Sequence, residues 1–290
     1  MYTRPSEPRS IGGVLDDGLR LWREAFPQTW LLAMFGQIVI AVPSIFLVDT
    51  SVDASRLSLQ QKFSMMVGQA PGHLWIYYLL TFVSYIFHVA VLRRVAGVAE
   101  GRETTIADTL IRSVQLIPRI LLFFIIFVCG AGLVGGVLGV FMGIASAASK
   151  SVIVSGVVAA LLVAAVSYLI VRLFLGYIAL VVDDRTALES LGFSWTLTRG
   201  NWWRTTAIAT VVFIIVIVLS AAMYLIGGLF VATWGMLSMV TIVSTQLVSV
   251  LVFTVLGSLY PAALYAVYQD LKLRREGSDL AGRVNALAPQ

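Results

Sequence analysis

The sequence has little charge. Asp, Glu, Lys and Arg make up 12% of its 290 residues, where a soluble domain carries about a quarter. No Asp or Glu lies deep inside any long apolar run. That argues against a proton- or cation-coupled pump, which normally holds a carboxylate within the membrane. Cys129 is the single cysteine, so there is no intrachain disulfide and no thiolate metal site. It sits in an apolar run, where a free thiol behaves as a small hydrophobe, and it is expected to be a buried packing residue. Walker, HExxH, GxSxG and CxxC patterns are all absent, which removes the common soluble-enzyme chemistries and any expected cofactor. The polar first ten residues are not followed by an apolar h-region before residue 28. A cleavable secretory signal is therefore not expected, and neither end carries a lipidation motif.

Apolar sequence is what the chain has in excess: 59% hydrophobic residues and a mean hydropathy of +0.92. These values exclude a soluble globular domain and a disordered chain. A hydrocarbon core of about 30 Å needs about 20 helical residues. Six runs qualify, at 28–48, 74–92, 120–144, 152–182, 202–230 and 237–268. The last three exceed the minimum, so tilts, kinks or projecting ends are expected there. The runs are unbroken and lack the alternation of a membrane barrel. The fold class is thus an all-α, polytopic membrane bundle of about six transmembrane helices, read as one membrane domain over 1–290.

The basic residues give the orientation. Sixteen of the twenty flank one side: Arg4 to Arg23, Arg93 to Arg119, Arg185 to Arg204 and Lys272 to Arg283. Only Arg56, Lys62 and Lys150 fall on the other, and Arg172 lies within a span. The bias places both termini in the cytoplasm. The basic pI near 9.5 then reflects topology and anionic lipid, so membrane lipids are the expected partners and nucleic acid is not. Trp30, Trp75, Tyr77, Trp202, Trp203, Trp234 and Tyr268 fall near the ends of the spans, where amphipathic rings favour the interface.

The segments on the basic side read as amphipathic helices leading into the odd-numbered spans. Their stripes are Leu15, Leu19, Trp22 and Phe26; Ile106, Leu110, Val114 and Ile117; and Leu188, Leu191 and Trp195. Spacings of three and four put each set on one face. Thr186 with Glu189 forms a capping box, Thr105 with Asp108 a weaker one, and Gly200 suits a helix C-terminus. The chain therefore reads as a pseudo-threefold repeat of surface helix plus hairpin, with sub-repeats 11–100, 101–184 and 185–270 and a basic tail at 271–290. The three surface helices are expected to lie in the cytoplasmic interface. Leu59, Phe63 and Met66 give the first outer loop, 50–72, a possible short helix of its own.

Two stretches carry a resemblance. One runs Asp183-Asp184-Arg185-Thr186-Ala187-Leu188-Glu189 and on through Ser194-Trp195-Thr196-Leu197-Thr198-Arg199-Gly200-Asn201-Trp202-Trp203-Arg204. The other is Tyr268-Gln269-Asp270-Leu271-Lys272-Leu273-Arg274-Arg275-Glu276-Gly277 with Asp279-Leu280. Together they resemble the glycerophosphoryl diester phosphodiesterase membrane domain family of bacterial proteins. The likeness is close over the third repeat and the tail, and by topology alone elsewhere. In some members this module is joined to a catalytic barrel that the present sequence does not contain. The resemblance thus implies a membrane module without inherited catalysis.

A few polar residues stand out against this background. Arg172 lies about ten residues inside span four, where a charge is costly; it is a functional candidate, and the favoured alternative is structural, a long side chain reaching the interface or a buried pair. Asp183 and Asp184, a carbonyl or a lipid phosphate are its candidate partners. His88, one turn from Tyr85, has no neighbouring carboxylate in sequence and reads as an interhelical hydrogen bond. Gly130, Gly132, Gly135, Gly136, Gly139 and Gly143 in span three are expected to permit close helix packing inside the bundle. Pro43 and Pro261 are expected to bend their helices. Lys272, Arg274 and Arg275, with Trp202 and Trp203, are candidate contacts for lipid or a protein partner. His73, Asp49 and Asp53 are the only outer-side candidates for a lipid-directed enzyme, and they read as loop residues. The expected function is a non-catalytic membrane scaffold or accessory subunit. The alternative is a transporter or lipid-handling protein, suggested by repeats and broken spans.

Overall fold

The computed structural model describes residues 2–47, 58, 74–149 and 151–287. Its elements are α1 (Ile11–Leu47), α2 (Leu74–Ala99), α3 (Ile106–Ser149), α4 (Val152–Leu173), α5 (Leu175–Val182), α6 (Ala187–Leu197), α7 (Trp202–Trp234) and α8 (Met239–Leu287). Among the described residues there is no strand. Six stretches are long and apolar enough to cross a membrane: Ile11–Phe46, Tyr78–Ala99, Ile106–Ile144, Ile153–Val182, Trp202–Trp234 and Met239–Arg275. The protein is therefore an all-α, multi-pass membrane protein, as hydropathy indicates. Asp49, Asp53, His73 and the helix expected around Leu59, Phe63 and Met66 lie outside the described residues.

The expected breaks between surface helix and span are present only in the third repeat. There α6 ends at Leu197 and Gly200, at φ +79°, turns the chain before α7. In the other two repeats α1 and α3 run unbroken through Pro27 and Pro118. A proline removes one backbone hydrogen bond and can leave the helix continuous, whereas a left-handed glycine ends it. The helix likewise continues through Pro43 in α1 and Pro261 in α8, and α8 carries span six straight into the basic tail. Span four is divided at Phe174 into α4 and α5.

The chain forms two compact units. The first holds residues 12–114 and 209–266 with the first four residues. Its helices meet through small residues. A Cβ at Gly18 would lie 3.1 Å from Ala263 Cα, and one at Gly36 would lie 3.0 Å from Phe87 Cβ. Such approaches replace the hydrophobic effect as the source of helix association in lipid. Trp22 donates its indole N–H to Ser258 Oγ at 3.0 Å, and Tyr265 donates to Glu100 at 3.0 Å.

The second unit holds residues 5–11, 115–208 and 267–290. Its buried side chains come from Leu116, Ile117, Ile120 and Phe123 of α3, α5 from Leu175 to Val181 apart from Tyr177, one face of α6, the start of α7, and Tyr268 to Leu271 of α8. The remainder of α3 and most of α4 are open. The glycine expectation is overturned here. A Cβ at Gly130, Gly132, Gly136, Gly139 or Gly143 would meet nothing within 4 Å, and one at Gly135 only Val166 at 3.8 Å. The tight approach in this unit is made by Gly176 instead, where a Cβ would lie 2.9 Å from both the Ser190 carbonyl oxygen and the Phe123 ring. Cys129, expected to be buried, is exposed on this open part of α3. An apolar thiol facing lipid loses nothing, because acyl chains solvate it as well as a protein core does.

Candidate functional site

The polar residues of the second unit gather around α6. The helix starts at Thr186, whose backbone is extended and whose hydroxyl accepts the Glu189 N–H at 3.4 Å. The Glu189 carboxylate accepts the Thr186 N–H at 3.1 Å, completing the capping box. The Thr186 N–H bond to the carboxylate, and after it the nearby Thr186 hydroxyl, hold the Glu189 carboxyl below its usual range against a smaller desolvation, with Arg185 adding least. Thr105 uses its hydroxyl differently at the start of α3, accepting from the Asp108 N–H at 3.1 Å while donating to the Asp108 carboxylate at 2.6 Å.

Helix α6 buries Ala187, Ser190, Ser194 and Leu197. The stripe predicted from sequence faces the other way: Leu188 is 68% exposed, Trp195 is exposed and Leu191 is half-buried. The same inversion holds in α3, where Thr109, Ser113 and Leu116 are buried while Ile106 and Val114 are exposed. Of that stripe only Ile117 is buried. Small polar residues pack inward; in α3 Ser113 bonds to its own helix, at the Thr109 carbonyl, at 2.7 Å, and in α6 Ser194 bonds to α4. The oily stripe is left for an apolar solvent, as an interfacial helix requires.

Two aspartates tie this region together. Asp183 ends α5, and its Oδ2 accepts from the Tyr268 hydroxyl at 2.7 Å and from Lys272 Nζ at 3.3 Å, with Arg185 Nε at 3.6 Å. Arg185 also stands 3.9 Å above the Phe193 ring, which tilts against Tyr268. Asp184 follows with φ +53°, a left-handed conformation that Asp tolerates better than most residues. Its carbonyl accepts from Arg119 at 3.2 Å.

Asp270 is the second anchor. Its carboxylate is 4% exposed. It accepts the Arg9 N–H at 2.8 Å, Arg204 through Nε at 3.2 Å and Nη2 at 3.1 Å, and Arg274 Nε at 3.0 Å. Arg204 and Arg274 also donate to the Arg9 carbonyl oxygen. A carboxylate held this way has both lone-pair directions and its charge matched.

Arg172 occupies the last turn of α4, and its partners are not Asp183 or Asp184. It donates from Nε at 3.0 Å and Nη2 at 2.8 Å to the Tyr168 hydroxyl, and from Nη1 to the Trp195 carbonyl at 3.2 Å and Thr198 Oγ1 at 3.4 Å. Its guanidinium carbon lies 5.2 Å from the Tyr168 ring centre and 5.0 Å from that of Trp195. The carbonyls at the end of α6 carry the negative end of the helix dipole, which favours a cation there. In return Ser194 Oγ donates to the Arg172 carbonyl at 2.7 Å.

The residues singled out from sequence are therefore distributed unevenly. Asp183 and Lys272 meet directly. Arg274 meets Asp270 and Arg9, so neither Lys272 nor Arg274 is an unmatched charge. Arg275 is exposed. Trp203 is 79% exposed, and Trp202 packs against it and against Tyr168. Tyr268, expected at the interface, is fully buried because its hydroxyl has Asp183 as an acceptor. His88 lies in the first unit and bonds within its own helix, to the Ser84 carbonyl at 3.1 Å. Sequence reasoning passed over Asp270, Tyr168 and Thr198. Asp270 was visible as an acid two residues beyond a predicted interfacial tyrosine and just ahead of the basic residues Lys272, Arg274 and Arg275. Among the described residues no group of three or more His, Cys, Asp or Glu side chains is placed to hold a metal ion.

Six long apolar helices with a polar cluster gathered on one short helix define a multi-pass helical membrane protein. Within that class the chain belongs to the family described as Domain of unknown function (DUF7847), which matches residues 39–271. No curated protein and no solved structure matches it.

Proposed function

We propose that this protein is a non-catalytic membrane module, a scaffold or accessory subunit that presents the outer face of α6 to lipid or to a membrane partner. The observation that carries this reading is how its carboxylates are used. Asp183 and Asp270 are matched by Tyr268, Lys272, Arg204, Arg274 and the Arg9 backbone, so they clamp helices together. A carboxylate matched in this way is a poor base or nucleophile. Leu188 and Trp195 meanwhile form an exposed apolar stripe beside the capped start of the helix. The two motifs that resemble the glycerophosphoryl diester phosphodiesterase membrane domain meet at the Asp183–Tyr268 and Asp270–Arg204 contacts. Kinship with that family is part of this proposal. The arginine distribution supports cytoplasmic termini, and the likeness to a bacterial family supports an inner-membrane location.

A photo-crosslinking residue placed at position 188 in intact membranes tests the module reading. Adducts with phospholipid or with one discrete second protein are expected. Adducts confined to this chain's own helices would refute it. Reporter fusions at the C-terminus and at Lys150 test the topology, and opposite faces are expected.

A further inference from the structure

We infer that Arg172, Tyr168 and Trp202 form a binding site for the phosphate of an anionic phospholipid headgroup. The inference deepens the module reading above by naming a lipid and the residues that take it. It rests on a count of donors. Arg172 directs two donors at the Tyr168 hydroxyl and two at Trp195 and Thr198, which leaves one Nη2 hydrogen. The Tyr168 oxygen accepts twice from the same guanidinium, so its own O–H is turned outward as a donor, and no acceptor stands opposite it among the described residues. The Trp202 indole N–H is buried and also lacks an acceptor among them, while its ring lies 5.3 Å from that of Tyr168. Three donors with no acceptor among the described residues thus belong to one cluster of adjoining side chains.

The charge points the same way. Among the described residues no carboxylate pairs with Arg172. Opposite it are only the C-terminal carbonyls of α6, worth about half a charge. An unbalanced arginine beside a lipid-facing span is costly unless an anion comes to it. Lys272 and Arg274 each face a carboxylate, Asp183 and Asp270 respectively, whereas Arg172 faces none among the described residues. A phosphodiester supplies two acceptor oxygens and a full negative charge. A headgroup with its own ammonium would bring a second cation toward the guanidinium, which favours phosphatidylglycerol over phosphatidylcholine. Trp203, 79% exposed at the next position, supplies the interfacial ring beside such a headgroup.

The test is native mass spectrometry of the purified full-length chain titrated with phosphatidylglycerol or phosphatidylcholine. One phosphatidylglycerol is expected to be held about tenfold more tightly than phosphatidylcholine. Arg172→Gln is expected to abolish that preference. Arg20→Gln, which removes an exposed charge paired with Asp16, is expected to keep it. Wild-type preference in Arg172→Gln overturns the site. Displacement of the lipid by equimolar inorganic phosphate overturns the lipid assignment in favour of a free-phosphate site. Should Arg172→Gln lose helix content by circular dichroism, Tyr168→Phe decides. It is expected to weaken phosphatidylglycerol several-fold with helicity intact, and unchanged affinity overturns the proposal. Failure here leaves the crosslinks at position 188 untouched, so the module reading stands or falls separately.

Discussion

Asp270 offers the sharpest test of how this fold is held. The substitution is Asp270→Asn, which keeps shape and one acceptor oxygen but removes the charge facing Arg204 and Arg274. The Asp270 carboxylate is 4% exposed, Arg204 18% and Arg274 29%. Breaking a buried ion pair from one side costs about 3–5 kcal/mol, because the partner charge is left without its counterion. Arg274 retains enough exposure to recover water, which places the expected loss near the lower end, about 3 kcal/mol. Arg204→Gln is expected to cost about 2 kcal/mol, since Arg274 and the Arg9 N–H still satisfy the carboxylate. The double variant should cost less than the two losses combined, by about 1 kcal/mol or more, as coupled neighbours do. Denaturant-driven unfolding in mixed micelles, followed by far-ultraviolet circular dichroism, measures all three. Additivity within about 0.3 kcal/mol would falsify the claim that these residues form one buried network. The coupling should also persist at high salt, because screening acts weakly on buried pairs.

Other expectations concern glycine, cysteine and the cap of α6. Gly176→Ala should destabilise by about 1–3 kcal/mol, since its Cβ would meet the Ser190 carbonyl and the Phe123 ring. Gly132→Ala should cost nothing or stabilise slightly in the same unfolding assay, since its Cβ meets open space. Cys129 should react in intact membranes with a lipid-soluble maleimide and not with a charged, impermeant one; equal labelling by both would contradict a lipid-facing thiol. The Glu189 carboxyl titrates below its usual range in the folded chain, so its capping contribution is fully present above the unfolded glutamate range. That contribution is lost as pH falls through the lowered folded value. Amide exchange at the start of α6 should therefore quicken under acid conditions in the native chain and show no such acid step in Glu189→Gln.

The spans were legible because an apolar run of the right length has few other uses. The α6 capping box was legible because its chemistry is local, Thr186 and Glu189 lying three residues apart. What sits inside was harder to read. Sequence patterns equate apolar with buried, and in lipid that equation fails. Leu188, Val114 and Cys129 face outward, while Ser113, Ser190 and Ser194 fill the interior, Ser113 bonding to the Thr109 carbonyl and Ser194 to that of Arg172. The glycines of α3 failed as a packing signal for the same reason. Small residues permit contact without requiring it, and Gly176, with no small partner four residues away, made the close approach instead. Tyr168 and Arg274 lie one helical turn from Arg172 and Asp270, but the other partners were not legible. They come from residues 22 to 261 positions away in the chain, on segments whose pairing no local spacing encodes.

The grip on Arg9 is made through its main chain: the N–H goes to Asp270, and the carbonyl takes Arg204 and Arg274. A clamp of that kind does not read the side chain it holds. Nearly any amino acid placed at position 9 presents the same two handles. Proline is the exception because it has no hydrogen to offer, so what this clamp tests at position 9 is one backbone hydrogen.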